Sequence, residues 1–168
     1  MEELFKGFGW QVTMEEARLP DGRTKKAVRV HRCDTAHILA FPTDHTILLL
    51  HEFRPFYGAY VWMLPSGHAD KETDILTTAQ RELREETGFS AKILEPYGQV
   101  HGTEAVSITN HLFIARELSP SPLPQDEDEL IEVHEVSLND AIEKVLSSKF
   151  IHTPSAFALL KYEREHRT

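Results

Sequence analysis

Cysteine is almost absent from this chain: Cys33 is the only one among 168 residues. A single thiol excludes an internal disulfide framework and any cysteine-rich zinc site. It fits a reducing compartment, so a cytoplasmic location is expected. Long apolar runs are missing too. None approaches the roughly 18–20 residues that a bilayer-crossing helix needs, so no membrane partner is expected. The opening MEELFKGFGW carries two acids and no long apolar stretch, which is not the pattern of a secretory leader. Basic residues are in the minority, 18 Lys and Arg against 27 Asp and Glu, and they are scattered along the chain. Binding nucleic acid through its phosphates requires a basic face, so no nucleic-acid partner is expected. The ten histidines include no HExxH pair. What the chain does have is 40% hydrophobic residues, enough to bury a core in one domain spanning residues 1–168. Its net charge of −9 still permits an anionic substrate if a divalent cation stands between the two negative partners.

Residues 1–9 read as a short helical or irregular lead-in, because Gly7 and Gly9 lack the preceding strand and third glycine of a dinucleotide loop. From Trp10 to Arg32 the pattern is a hairpin turning at Pro20-Asp21-Gly22-Arg23. There proline presets φ and Asp-Gly tolerates positive φ. A second strand pair is expected in AHILAF and TILLLHEF about the turn at residues 42–45, with the apolar run Ile47–Leu50 buried on both faces. An aromatic-rich loop follows, and residues 75–87 read as a helix stopped by Gly88. Further strands are expected in SAKILEPY, ITNHLFIA and LIEVHEV, with a proline-rich, then acidic surface loop over residues 119–129. Ser137 and Asp140 form a capping-box pattern that opens a helix reaching about residue 145. Thr153 and Pro154 read as the cap and first-turn proline of a last helix. There are no repeats. The expected class is α+β or α/β.

The helix over 75–87 carries the chemistry. At 3.6 residues per turn Ile75, Leu76, Ala79 and Leu83 share the arc that faces the core. Glu82, Glu85 and Glu86, related by i,i+3 and i,i+4, border that arc. Like charges at i,i+4 cost about 0.2–0.5 kcal/mol each in an isolated helix, so stability alone does not choose them. Three carboxylates at the rim of a core make a hard-oxygen site suited to Mg²⁺ or Mn²⁺. Arg81 reaches Glu85 at i,i+4. A bare RELREE hexapeptide is an ordinary salt-bridged face, but its surroundings here are not ordinary. Gly67 stands fourteen residues before Arg81, and Gly88 and Phe89 close the segment.

Residues 67–89 thereby resemble the Nudix box, G-x5-E-x7-R-E-U-x-E-E-x-G-U, where U is bulky and apolar. One position departs: Thr73 stands where the box has its first glutamate, with Glu72 before it and Asp74 after. The stretch HEFRPFYGAYVWMLPSGHAD, the segment HGTEA and the acidic loop with its following strand resemble the ADP-ribose pyrophosphatase and nucleoside-diphosphate-sugar hydrolase branch. Met63 stands where that branch often has glutamate.

The resemblance implies an α/β/α sandwich, a mixed central sheet between helices, with an N-terminal hairpin region over about residues 10–32 that builds a homodimer. It implies Mg²⁺-dependent hydrolysis of ADP-ribose or a related nucleoside diphosphate sugar, with Mn²⁺ as a second candidate metal. Glu82 and Glu86 would be metal ligands, with Glu85 a third ligand or a bridge through water and the Ser66 carbonyl completing the shell, while Arg81 would hold the glutamates in place. Thr73 cannot ligate as strongly as glutamate, so Glu72 would substitute or the site would be weaker. Arg54, Glu104, Arg29, Arg32 and Tyr57 are the candidate substrate contacts, with Arg29 and Arg32, near the second strand, reaching the substrate across a dimer. Phe56, Tyr60 and Trp62 are weighed as base-stacking rings against ordinary packing. Since the box glutamates are committed to metal, the general base is sought in the acidic loop, at Glu127 or Glu129. Two other readings stay open: a pyrophosphohydrolase of nucleoside tri- or diphosphates or RNA 5′ ends, and a weakly catalytic module that binds a nucleotide sugar as a sensor.

Overall fold

A two-residue turn decides how the chain begins. Phe8 (φ 53°) and Gly9 (φ 75°) both have positive φ, the geometry whose twist suits a tight hairpin. The turn joins strand β1 (Glu2–Gly7) to β2 (Trp10–Arg18), so residues 1–9 are a strand and a turn, not a helical or irregular lead-in. The ladder to β2 satisfies backbone groups that an isolated lead-in would leave to water. The second hairpin is as expected: β3 (Thr24–Arg32) pairs with β2 from Arg18↔Thr24 to Trp10↔Arg32, with Gly22 at φ 86° in the turn. The computed structural model describes residues 1–70, 74–125 and 129–167.

Two sheets form the body. In one, β7 (Ser66–His68), β4 (Thr35–Ala40), β10 (Thr109–Pro120) and β8 (Phe89–His101) lie in that order, β4 and β10 parallel and the other pairs antiparallel. In the other, β11 (Ile131–Ser137), β5 (Thr46–Arg54) and β6 (Ala59–Met63) are antiparallel. The short β9 (Val106–Ser107) joins the N-terminal sheet alongside β3. Here one expectation is corrected. AHILAF and TILLLHEF are both strands, but they do not pair with each other; β4 goes to one sheet and β5 to the next. β4 lies between β7 and β10, whereas β5 makes a hairpin with β6 and takes β11, far along the chain, on its other edge.

Alternation along these strands builds two cores. Ala36, Ile38, Ala40 and Leu48 pack with Ala79 and Leu83 of helix α1 (Ile75–Thr87). Leu39, Phe41, Ile47 and Leu49 face the other way, onto α2 (Leu138–Ser147) and α3 (Thr153–His166). The result is the expected sandwich of mixed sheet between helices. Helix α1 has its expected bounds, capped by Asp74, whose carboxylate accepts from the backbone N–H of Leu76 and Thr77, and ended by Gly88 at φ 78°. Leu76 is the exception on its core face. It sits at the margin of the arc in the first turn and is 40% exposed. Ser137 caps α2 as expected. His152, not Thr153, is the N-cap of α3, because Thr153 already has helical geometry and Pro154 lies inside the first turn. No helix among the described residues is long and apolar enough to cross a membrane.

The fully buried Leu39 and the exposed Leu160 give a direct test of this packing. Leu39→Ala is expected to lower unfolding free energy by about 2–5 kcal/mol in urea titrations, and Leu160→Ala by less than about 1 kcal/mol.

Candidate active site

Helix α1 enters from Asp74 with its Glu82 and Glu86 row turned inward, next to the Ala79–Leu83 row that anchors it in the core. The loop at β7 receives both carboxylates. The backbone N–H of Ser66 donates to Glu86 Oε2 at 2.7 Å. Gly67 lies directly against the Glu82 carboxylate, and any side chain at 67 would overlap it. Glycine is needed there for space rather than for its φ. Arg81 clamps the assembly: its guanidinium pairs with Glu82 Oε1 at 2.8 Å and with Glu85 Oε2, and donates to the His68 carbonyl at 3.3 Å.

These groups open into a cleft of about 870 Å³ that Glu52, Glu82, Glu86 and Glu129 all line, together with Arg32, Arg54, Tyr57 and Phe56. Arg54 Nη2 lies 2.9 Å from Glu52 Oε2, an ion pair whose angle makes no hydrogen bond, and it also donates to the Met63 sulfur at 3.2 Å. Burial pushes the carboxyls of Glu52 and Glu82 up to about 7; Arg54 and Arg81 oppose the rise, and neighbouring carboxylates, Glu129 among them, add to it. Glu86 is raised well above the ordinary carboxylate range by burial first, then by Glu82, despite the Ser66 N–H. An all-oxygen set of desolvated, mutually repelling carboxylates, one oxygen of Glu52 lacking a hydrogen-bond donor, fits a hard divalent cation.

The other sequence-derived residues divide. Arg32, Arg54, Tyr57, Ser66, Arg81, Glu82, Glu86 and Glu129 share the cleft. Tyr57 also stacks on Phe150 at 4.4 Å between ring centres. Arg29 and Glu104 line a separate hollow of about 290 Å³, where Arg29 Nε donates to the Glu104 carbonyl at 3.0 Å; Ile108 borders both spaces. Glu85 is held by Arg81 beside the cleft rather than lining it. Tyr60 and Trp62 do not line the cleft, and both stack on His51. Glu127, Glu72 and Thr73 lie outside the described residues.

Three cleft groups escaped the sequence reading: Glu52, His37 and His152. Burial lowers His37 to about 3 and His152 to about 4, so both are neutral, their rings 5.3 Å apart. A signal for Glu52 was present. It is the one acid in the TILLLHEFR strand, two residues after Leu50 and so on that residue's face.

Because the folded pKa of Glu82 is raised, its contribution to stability is greatest at low pH and is lost as pH rises from about 4.5 to about 7. The buried neutral histidines work in the opposite sense below their ordinary pKa, so a difference between two variants isolates the carboxylate. In chelator, Glu82→Gln is expected to melt higher than the parent at about pH 8, with the gap closing toward about pH 5. Differential scanning calorimetry across pH checks it; added Mg²⁺ should raise the parent's melting temperature more than the variant's.

The comparisons agree with this geometry. The NUDIX domain family model matches residues 31–155, which include the whole of the Glu82–Glu86 site. An ADP-ribose pyrophosphatase of Bacillus subtilis (strain 168) is 31% identical over 161 residues, covering 94% of this chain and 87% of the relative. The methanol dehydrogenase activator of Bacillus methanolicus is 25% identical over 163 residues, with 94% and 87% covered. Among solved structures, the crystal structure of an ADP compounds hydrolase superposes with a TM-score of 0.80 at 20% identity, over 99% of this chain and 94% of that one. With a family model matching residues 31–155 and a relative 31% identical over most of both chains, the chain belongs to the Nudix family of pyrophosphohydrolases.

Proposed function

We propose that this enzyme hydrolyses the diphosphate linkage of ADP-ribose or a related nucleoside diphosphate sugar, with Mg²⁺ or Mn²⁺, to a nucleoside monophosphate and a sugar phosphate. One observation carries the reading: a single cleft of about 870 Å³ is walled by the carboxylates of Glu52, Asp70, Glu82, Glu86 and Glu129 and by the arginines Arg32, Arg54 and Arg81. That is room for a diphosphate with a bulky group at each end. The 31% identity to an ADP-ribose pyrophosphatase supports the same substrate class.

Glu82 and Glu86 would hold the cation, with Glu85 and the Ser66 carbonyl completing its shell. A divalent cation bound there neutralises diphosphate charge and lowers the pKa of water. Arg81 fixes Glu82 and Glu85 in position through its paired contacts. Arg54 and Arg32 bind phosphate oxygens, and Tyr57 packs against the nucleoside. Glu104 and Arg29, in the adjoining hollow, meet the far end of the substrate. The water oxygen bonds to one phosphorus, the bridging P–O bond breaks, and the bridging oxygen leaves with the other phosphate. The water proton passes to a carboxylate of the acidic loop. Glu129 lines the cleft and Glu127 lies two residues before it, so these two are the candidate bases. Cys33 as the only cysteine agrees with a cytoplasmic enzyme.

Steady-state kinetics over a panel of nucleotides test the substrate class. ADP-ribose or a nucleotide sugar is expected to give a higher kcat/KM than any common nucleoside triphosphate, and the reverse order transfers the enzyme to the triphosphate reading. Glu86→Gln is expected to abolish most turnover and weaken Mg²⁺ binding. Loss of the base is expected to lower kcat by about 10²–10⁴-fold with metal affinity nearly unchanged. Parent-like kcat in Glu127→Gln, Glu129→Gln and their double variant would remove the loop from the mechanism.

The N-terminal sheet supports a homodimer. Leu4, Phe5, Trp10 and Val28 are each more than a third exposed, and Phe8 is 97% exposed at the hairpin tip. An apolar patch of this kind on a small domain calls for a cover. Light scattering at micromolar protein is expected to give twice the chain mass, and a monomer there refutes the assembly.

A further inference from the structure

The alternation that sends Glu52 into the cleft sends His51 out through the other face of β5. Directly across the ladder from His51 stands Glu132 of β11, and two residues on, on the same face, stands His134. His51 Nδ1 is 3.4 Å from Glu132 Oε2, and His134 Nε2 is 3.5 Å from that oxygen. All three donor atoms lie within 4.8 Å of one another.

His51 and Glu132 thus share a hydrogen bond, a stretched one beside the usual limit near 3.2 Å, and the His134 contact is longer still. The separations match the edge of a coordination tetrahedron. With metal–nitrogen and metal–oxygen bonds of about 2.0–2.2 Å, neighbouring ligand atoms sit roughly 3.3 Å apart. His134 Nε2 is buried and has no hydrogen-bond partner among the described residues, although the residue as a whole is accessible. A ring nitrogen withdrawn from water and lacking a partner is what an ion would satisfy.

The imidazoles are also held in place. Tyr60 and Trp62 both stack on the His51 ring, at 4.7 and 4.2 Å between ring centres, and Trp62 meets His134 edge-on at 4.9 Å. Such packing fixes ring orientation before any ion arrives, as an effective metal site requires. The Glu132 side chain is 62% exposed, leaving a route for entry and an open position for water.

We propose that His51, Glu132 and His134 form a second metal site, distinct from the cleft and selective for a borderline transition ion such as Zn²⁺. The donor chemistry separates the two sites. Two imidazoles and one carboxylate suit Zn²⁺, Co²⁺ or Ni²⁺, whereas the cleft's all-oxygen set suits Mg²⁺ or Mn²⁺. None of the three residues lines the cleft. The site clips β5 to β11 immediately after the acidic loop, where the Phe53 N–H already donates to the Leu130 carbonyl at 3.0 Å. A bound ion therefore fastens the strand that follows Glu129.

The test uses the full chain without a histidine tag, in a Glu82→Gln/Glu86→Gln background that removes the cleft ligands, titrated with Co²⁺ and followed by visible absorption. One equivalent giving the bands of a four-coordinate centre, displaced by Zn²⁺, is expected. Adding His51→Ala with His134→Ala should abolish the bands, and Glu132→Gln should weaken binding by about tenfold or more. Circular dichroism confirms that each variant is folded. Melting temperature should rise with Zn²⁺ in the background variant and stay constant in the histidine double variant. Absence of a four-coordinate spectrum in the background variant, or its persistence in the folded histidine variant, overturns the proposal.

Discussion

Glu82 and Glu86 are driven out of water because their helix row adjoins the Ala79–Leu83 row that anchors α1 in the core, and the β7 loop receives them. Moving a carboxylate into a low-dielectric site is expensive unless it is paired or neutralised. Arg81 neutralises part of that charge, through Glu82 and Glu85, and the Ser66 N–H satisfies one oxygen of Glu86. The remainder is left as raised proton affinity at Glu52, Glu82 and Glu86. Much of the architecture around the site follows from this single constraint. Gly67 has no side chain because Glu82 occupies its space, and Arg81, one residue from Glu82 and one helical turn from Glu85, touches both through its forked guanidinium.

The cost in stability is the reverse side of function. A site that repels its own carboxylates suits a small, hard cation, whose binding would return the stability that burial removed. The neutral pair His37 and His152 behaves differently. Burial strips both of charge, so they add polar surface to the cleft without adding to its cationic wall, which is left to Arg32, Arg54 and Arg81.

Strand β5 organises the two faces of the molecule. Leu48, Leu50 and Glu52 turn toward α1 and the cleft, while Ile47, Leu49 and His51 turn toward α2. A one-residue slip in its register with β11 would exchange Glu52 for His51 and destroy the cleft wall. The unbroken apolar run at residues 47–50 and its two antiparallel partners hold that register.

What the sequence determined by itself was whatever depends on local spacing. The bounds of α1, the Gly22 and Gly88 turns, the Ser137 cap and the convergence of Glu82 and Glu86 all follow from periodicity and backbone preference over a few residues. The Nudix resemblance rested on the same local spacing. Pairing was a different matter. β4 and β5 are neighbours in the chain, yet they join different sheets, β4 between β7 and β10 and β5 between β6 and β11, because two doubly buried strands have no pattern that names the edge they join. The first strand was missed because its turn depends on Phe8 adopting positive φ, which no non-glycine residue advertises. Glu52, His37 and His152 are scattered from residue 37 to residue 152. Only the packing of two sheets brings them into one cleft with the box glutamates, and sequence separation carries no record of that distance.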